Sequence, residues 1–511
     1  MTTRSIILSA PLLLLLAACA QAEEGETHLS NSGATENSSS LGENSLGTSS
    51  DGSGTTADPP DGTDTETDTG IVDTDTNGTD TSTETDTADT GIADTNGTGD
   101  TETTGMGFPD DAVFVHGEDG FDSNPGTLDE PKRTIQAAID AAAELPGSAV
   151  YVAEGTYELD FQNNKYITLV DGVSLYGGYS ADDWEIRNII DTPSVLVDMS
   201  TEGGSLAEPK RALDGGTDVG PDTIVDGFTI QGGTGLFSAA VRVHQSAPTF
   251  TNNRILGGSA DALTSYGVWI VDAAPTFSEN EISAGTTAGP NKSYGIFMDG
   301  NGDAILDGNH VHGGSGGIDS AGIAASSSSP MIYNNVINGG SGSKIRGIAL
   351  NTSMATIYNN TLVNDSTIDA VNIYVGPDSE PTIENNILTL AEGCIYEDTA
   401  TAKSKSIRNN DLFCVNYVAH IGLSGMSHVD LAPMETDSIK AGGMASDNVK
   451  IEPSFVDIAN NDAHLLGDGG TLCSLSQGAL DQSMSFTLDR DRRERTAPWS
   501  IGAHELDGPC K

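Results

Sequence analysis

Between Val241 and Leu412, apolar and polar residues alternate over runs of a few positions, stop at Asn, Gly or Ser, and begin again. One such run returns as PTFTNNRI, PTFSENEI, AILDGNHV, PMIYNNVI, ATIYNNTL, PTIENNIL and KSIRNNDL. Aligned on the last asparagine of each, the copies give Asn253, Asn280, Asn309, Asn335, Asn360, Asn386 and Asn410, spaced by 27, 29, 26, 25, 26 and 24 residues. A partial copy, TIVDGFTIQGG, precedes the set. Each full copy follows a second apolar segment: AAVRVH, YGVWIV, YGIFMD, AGIAAS, RGIALN, DAVNIY and GCIYED. Period-two alternation bounded by turn residues predicts short β-strands, two or more per unit. Units this small cannot bury their own apolar faces and must stack on one another. The pattern therefore predicts an all-β solenoid with parallel sheets along its length.

A catalytic residue is needed once or twice, whereas these asparagines recur in seven successive units. Stacked side-chain amides can hydrogen-bond from coil to coil, and asparagine tolerates left-handed backbone at a bend. They are read as a structural ladder. The repeats resemble the right-handed parallel β-helix superfamily, often called pectate-lyase-like. Both flanks strengthen the resemblance. VFVHGEDGFDSNPGTLDEPKRTIQAAIDAAAELPGSAVYVAEGTYE, from Val113, is similar to the start of secreted β-helix proteins of the DUF1565 type. That likeness implies a capping helix over Thr134 to Ala143, with Ile135, Ala138 and Ile139 on its apolar face. VSLYGGYSADDWEIRN adds Trp184 and Arg187, with Trp184 read as packing. At the other end, Asp489, Asp491, Arg495 and Gly502-Ala503-His504-Glu505 resemble the closing segment of the same proteins, which implies a C-terminal cap. The chain departs from that pattern with Arg492 where a glycine is common.

Charge narrows the partners. The chain carries 75 acids against 22 Lys plus Arg, a formal charge of −53. Such a surface repels nucleic acid and anionic headgroups, and it disfavours acidic polysaccharides unless divalent cations bridge the like charges. Twenty of the acids lie in 20–107, a Thr/Asp/Gly-rich stretch without Lys or Arg that reads as a disordered stalk. Within it, Asp73, Asp75, Asn77, Gly78 and Glu84 match a calcium-loop spacing, yet both flanks are more Thr-Asp repeat instead of helices. No cofactor is required by the sequence, and Ca2+ is the candidate ion. No metal-ligand motif stands out.

The start, MTTRSIILSAPLLLLLAACAQ, is too short an apolar run to span a membrane and reads as an export signal. Leu16-Ala17-Ala18-Cys19 resembles a bacterial lipobox, which implies lipidation at Cys19 and, with Ala20 following, sorting to the outer membrane. Export permits disulfides among Cys394, Cys414, Cys473 and Cys510. Proximity in sequence suggests Cys394 with Cys414 and Cys473 with Cys510.

Two outward columns carry chemistry. Arg242, Trp269, Phe297, Ala324, Ala349, Asn372 and Tyr396 lie between apolar neighbours, and Arg242, Trp269 and Phe297 would form an aromatic shelf for a sugar. Arg254, Glu281 and His310, with His312 beside them, bring a cation, an acid and a base candidate onto adjacent coils. The clustered aspartates that pectate lyases and polygalacturonases would require are not recognisable. The expected organisation is a signal peptide at 1–19, the stalk at 20–107, a cap and first coils at 108–222, regular coils at 223–414, and closing coils and cap at 415–511. The expected role is glycan contact or scaffolding by a monomer at the cell surface, with a polysaccharide lyase or hydrolase, or a protein-binding adhesin, as alternatives.

Overall fold

The computed structural model describes residues 107–505, apart from 146, 202, 206, 288–290, 365, 367, 459–461, 467–474, 476–478, 481, 483–484 and 496–498. Cys19, the stalk, its calcium-loop spacing, and Cys473 and Cys510 lie outside the described residues.

Each coil supplies one strand to each of three sheets in turn. Thr249–Thr251 joins the first sheet, Arg254–Leu256 the second and Ala260–Val271 the third, before Thr276–Ser278 returns to the first. The first sheet has 12 strands, the second 10 and the third 11. Their strands pair in parallel, except that Met426–His428 closes the third sheet antiparallel. The expected parallel β-helix is thus the observed fold. A separate antiparallel hairpin joins Phe455–Asp457 to Asp462–Leu465.

In the regular coils the middle residue of each short strand points inward. Phe250, Phe277, Leu306, Ile332, Ile357, Ile383 and Ile407 form such a file in the first sheet, all fully buried. Phe250 and Phe277 stack with centroids 4.7 Å apart. Each of these side chains contributes about 1.5–3 kcal/mol by leaving water. Tight Gly-Gly corners follow the second-sheet strands because consecutive backbones touch there: a Cβ on Gly258 would lie 1.8 Å from the Gly233 carbonyl oxygen.

The bend between the first and second sheets holds the ladder. The Asn253 and Asn280 side chains are 2 % exposed and the other five are fully buried. At each step from Asn253 to Asn386, the next Oδ1 accepts from both the backbone N–H and Nδ2 of the asparagine before it, as when Asn280 donates to Asn309 at 3.0 Å twice. The left-handed backbone falls one residue earlier than expected, on Asn252, Glu279, Gly308, Asn334, Asn359, Asn385 and Asn409. The ladder also runs one rung further, to Asn448, which accepts from Asn410 across 38 residues. The extra length is the excursion that holds the helix Leu431–Lys440. Its Met434 is fully buried in the main core.

At the N-terminal end the expected helix spans Ile135–Ala142, with Thr134 as N-cap and Ile135, Ala138, Ile139 and Ala142 buried. Trp184 is 9 % exposed and packs on Phe114, centroids 5.1 Å apart. The C-terminal motif differs from its expected place. The described residues of 479–505 do not close the end; they run back along the ladder bend as far as Glu279 and Asp307 and return to Asn385, forming a strap. Leu480 O accepts from Asn385 Nδ2, Ser500 O from Asn359 Nδ2 and Leu488 O from Asn334 Nδ2. Arg492, on the position where the resembling proteins favour glycine, adopts φ 62° and ion-pairs with Asp307 and Glu279. The turn survives because its arginine is anchored on the solenoid.

The described pair Cys394–Cys414 forms a disulfide, as proximity suggested. Nearby, Asp411 is fully buried, and its Oδ1 accepts from the Ile451 N–H at 2.9 Å. Burial pushes its carboxyl up to about 7, against the pull of that N–H. The folded pKa exceeds the unfolded value, so the associated stability is fully present below about pH 4 and is lost as pH rises through about 7. The Asp411→Asn variant is expected to be more stable than the parent by about 2–4 kcal/mol at pH 8 and nearly equal at pH 4. Denaturation at the two pH values tests this; an equal difference at both would defeat it.

Candidate functional site

On the outer face of the third sheet, Arg242 pairs in register with Trp269 and Trp269 with Phe297. The predicted shelf is therefore assembled, but Trp269 is only 7 % exposed. Its ring stacks on Tyr266 at 5.9 Å, and the Arg242 guanidinium lies 5.8 Å from its centroid. Tyr266 and Tyr294 then pack on Phe297 at 5.6 and 5.4 Å. Trp269 is cluster interior, so its face cannot receive a sugar. Phe297 remains half-buried at the margin.

Beyond Phe297 the column continues through Ala324 and Ala349 to Tyr374, Tyr396 and His420. This corrects the expected Asn372. That side chain is fully buried, its Nδ2 donating to the Thr389 carbonyl at 3.1 Å, and Tyr374, two residues later, takes the outward place. The alternation in DAVNIY fits either residue, and only the inward Ile373 decides the register. Tyr374 stacks on Tyr396 at 6.1 Å and Tyr396 on His420 at 4.6 Å, all three half-buried. Arg346 covers Tyr374 at 5.3 Å and pairs with Asp369 at 3.3 Å. Burial, then the charge of Asp398, pushes the Tyr374 phenol up, which keeps it a neutral hydrogen-bonding group. The two alanines between Phe297 and Tyr374 leave a small-residue floor with aromatic rims.

On the second sheet, Arg254, Glu281 and His310 are register neighbours, as the alignment implied. Arg254 Nε and Glu281 Oε2 lie 3.2 Å apart on open surface, with side chains 56 and 51 % exposed. His310 is half-buried. Its burial, with Arg490 of the strap and His312 adding repulsion, lowers its pKa to about 4. His310 is therefore a neutral imidazole at physiological pH. His312 Nδ1 accepts from the Gly314 N–H at 2.9 Å, so one of its nitrogens is already committed.

From Val336 onward this face is covered by the C-terminal region, where Ala463 and Ala503 pack on Val336, and Leu475 and Ile501 on Ile387. The strap delivers groups that local spacing never grouped. Asp462 and His464 come from the hairpin, and Arg490, Asp491 and His504 from the strap. His464 bonds Asp462 through Nδ1 at 2.5 Å and Asp491 through Nε2 at 2.6 Å. The widest of these separations in sequence hides the cluster from any motif search.

Three stacked parallel sheets with an internal asparagine ladder and aromatic outer column define the class: a parallel β-helix protein. Within it, residues 117–342 match the family described as "Protein of unknown function (DUF1565)". We find no curated protein that matches the chain. Among solved structures it is similar to a rhamnogalacturonan lyase at 12 % identity, covering 78 % of this chain and 96 % of that one, with a TM-score of 0.42. It is similar to pectate lyase Pel9A at 12 % identity, with coverages of 78 and 96 % and a TM-score of 0.34. The A-module of the Azotobacter vinelandii mannuronan C-5 epimerase AlgE4 gives 15 % identity, coverages of 60 and 96 %, and a TM-score of 0.31.

Proposed function

We propose that the β-helix is a glycan-contacting surface module and that its contact face is the third-sheet outer column from Phe297 to His420. One observation carries this reading: Tyr374, Tyr396 and His420 form a half-exposed stacked series beyond the Ala324–Ala349 floor. Successive coils place these groups at about the 4.8 Å strand spacing, and aromatic faces present the apolar surface on which sugar rings stack. The lipobox and stalk support tethering at the outer-membrane surface, with the solenoid as a monomer held away from the lipid. Among the described residues no helix is long and apolar enough to cross a membrane.

A glycan array followed by product analysis tests the proposal. The Tyr396→Ala variant is expected to bind about tenfold more weakly, a loss of roughly 1.4 kcal/mol, with its fold intact. Trp269→Ala, by contrast, should lower stability. Unchanged affinity in the Tyr396 variant would remove the contact face. The register of Arg254, Glu281 and His310 supports a second reading as a polysaccharide lyase or hydrolase. Shortened products that vanish in Glu281→Gln would favour it. A protein partner retained after all glycan is stripped would favour the adhesin reading.

A further inference from the structure

We propose that His464, Asp491 and His504 form a binding site for Zn2+ that clips the hairpin to the strap. Their donor atoms all lie within 4.8 Å of one another. His504 is 5 % exposed, yet neither of its ring nitrogens has a hydrogen-bond partner. A buried imidazole with both nitrogens bare is uncommon, because native interiors pair nearly all of their polar atoms. Its Nε2 faces Asp491 Oδ1 at 3.8 Å, and its ring lies 4.0 Å from that of His464. The bare nitrogen is aimed at a carboxylate and a second imidazole, which is the surrounding a cation needs.

The rest of the geometry agrees. Asp462 holds Nδ1 of His464 at 2.5 Å, the outer-sphere arrangement that fixes a ligand ring and directs its Nε2 inward. Four-coordinate zinc with bonds of about 2.0–2.1 Å sets its donors roughly 3.3–3.4 Å apart. The present separations, 2.6 Å from His464 Nε2 to Asp491 Oδ2 and 3.8 Å from His504 Nε2 to Asp491 Oδ1, lie on either side of that value. Small side-chain rotations therefore complete the set. Arg490 and Arg493 reach the same carboxylate only at 3.9 Å each, so neither is a close partner in its place. Two imidazoles and one carboxylate suit zinc, whereas calcium takes oxygen donors throughout. The fourth position falls to water.

The test uses the full chain, stripped with a chelator and titrated with Co2+ alone, then with Zn2+. The expected result is one equivalent of Co2+ with the visible bands of a four-coordinate ion, displaced by Zn2+ but not by Ca2+. Zinc should also raise the thermal midpoint by several degrees. His504→Gln and His464→Gln should each weaken binding at least ~100-fold, and Asp462→Asn about tenfold. The parent titration needs no variant, so misfolding of any substitution leaves it decisive. Absence of the bands in the parent, or weak binding that is identical in parent and His504→Gln, overturns the site.

Discussion

Replacing Asn360 by alanine is expected to lower the unfolding free energy by about 3–5 kcal/mol, among the largest effects available to one substitution in this chain. Asn360 Oδ1 accepts from the Asn335 backbone N–H and from Asn335 Nδ2, both at 3.0 Å. Its Nδ2 donates to the Ile332 and Tyr358 carbonyls at 2.9 Å and to Asn386 Oδ1 at 3.0 Å. Alanine takes the acceptor from the Asn335 N–H and Nδ2, and one donor from the Ile332 carbonyl, at a place closed to water. Each orphaned group costs about 1–3 kcal/mol, and the emptied volume adds to that. The denaturation midpoint reports the change. A loss under about 1 kcal/mol would mean that the amide file is ornamental and that apolar stacking alone fixes the bend.

The second large effect is expected at Arg495, whose side chain is wholly buried beside Glu505. It donates to Glu505 Oε2 at 3.1 Å, to Asn334 Oδ1 at 2.7 Å, and to the Gly502 and Ala503 carbonyls at 3.0 Å. Phe486 and Trp499 lie 6.0 and 5.7 Å from its guanidinium. Arg495→Met removes the charged partner of Glu505 and one donor each from Asn334 Oδ1 and the Ser500, Gly502 and Ala503 carbonyls, a loss of about 3–5 kcal/mol. That loss should be local. Hydrogen exchange should accelerate over residues 479–505 and at Asn334, Asn359 and Asn385, while the coils around Asn253 and Asn280 keep their protection. Uniform acceleration along the solenoid would contradict the picture of a separately docked strap.

The two effects divide along the line between what local sequence reveals and what it hides. Period-two alternation and a recurring asparagine disclose the coils, because each rung repeats the same local demand. The columns Arg254–Glu281–His310 and Arg242–Trp269–Phe297 were legible for the same reason. Exposure was not. Trp269 alternates as an outward residue, but Tyr266, earlier in the same strand, stacks on it, and alternation says nothing of how bulky neighbours cover one another. Tyr374 was missed because Asn372 satisfies the same pattern, and Asn448 because a helix separates it from its ladder. The strap was least legible: Arg492 meets Glu279 across 213 residues, a relation that no local period encodes.

That long reach also orders events in time. Glu279, Asp307 and Asn334 precede the arginines that hold them by 213, 185 and 161 residues. Coils can stack as they emerge, since each needs only its neighbour. The ladder bend beneath the strap cannot be sealed until the last coils have been made. A chain interrupted before residue 479 would keep its solenoid but leave Asn334, Asn359 and Asn385 open to water and to proteases. The strap therefore seals a bend that the earlier coils leave open.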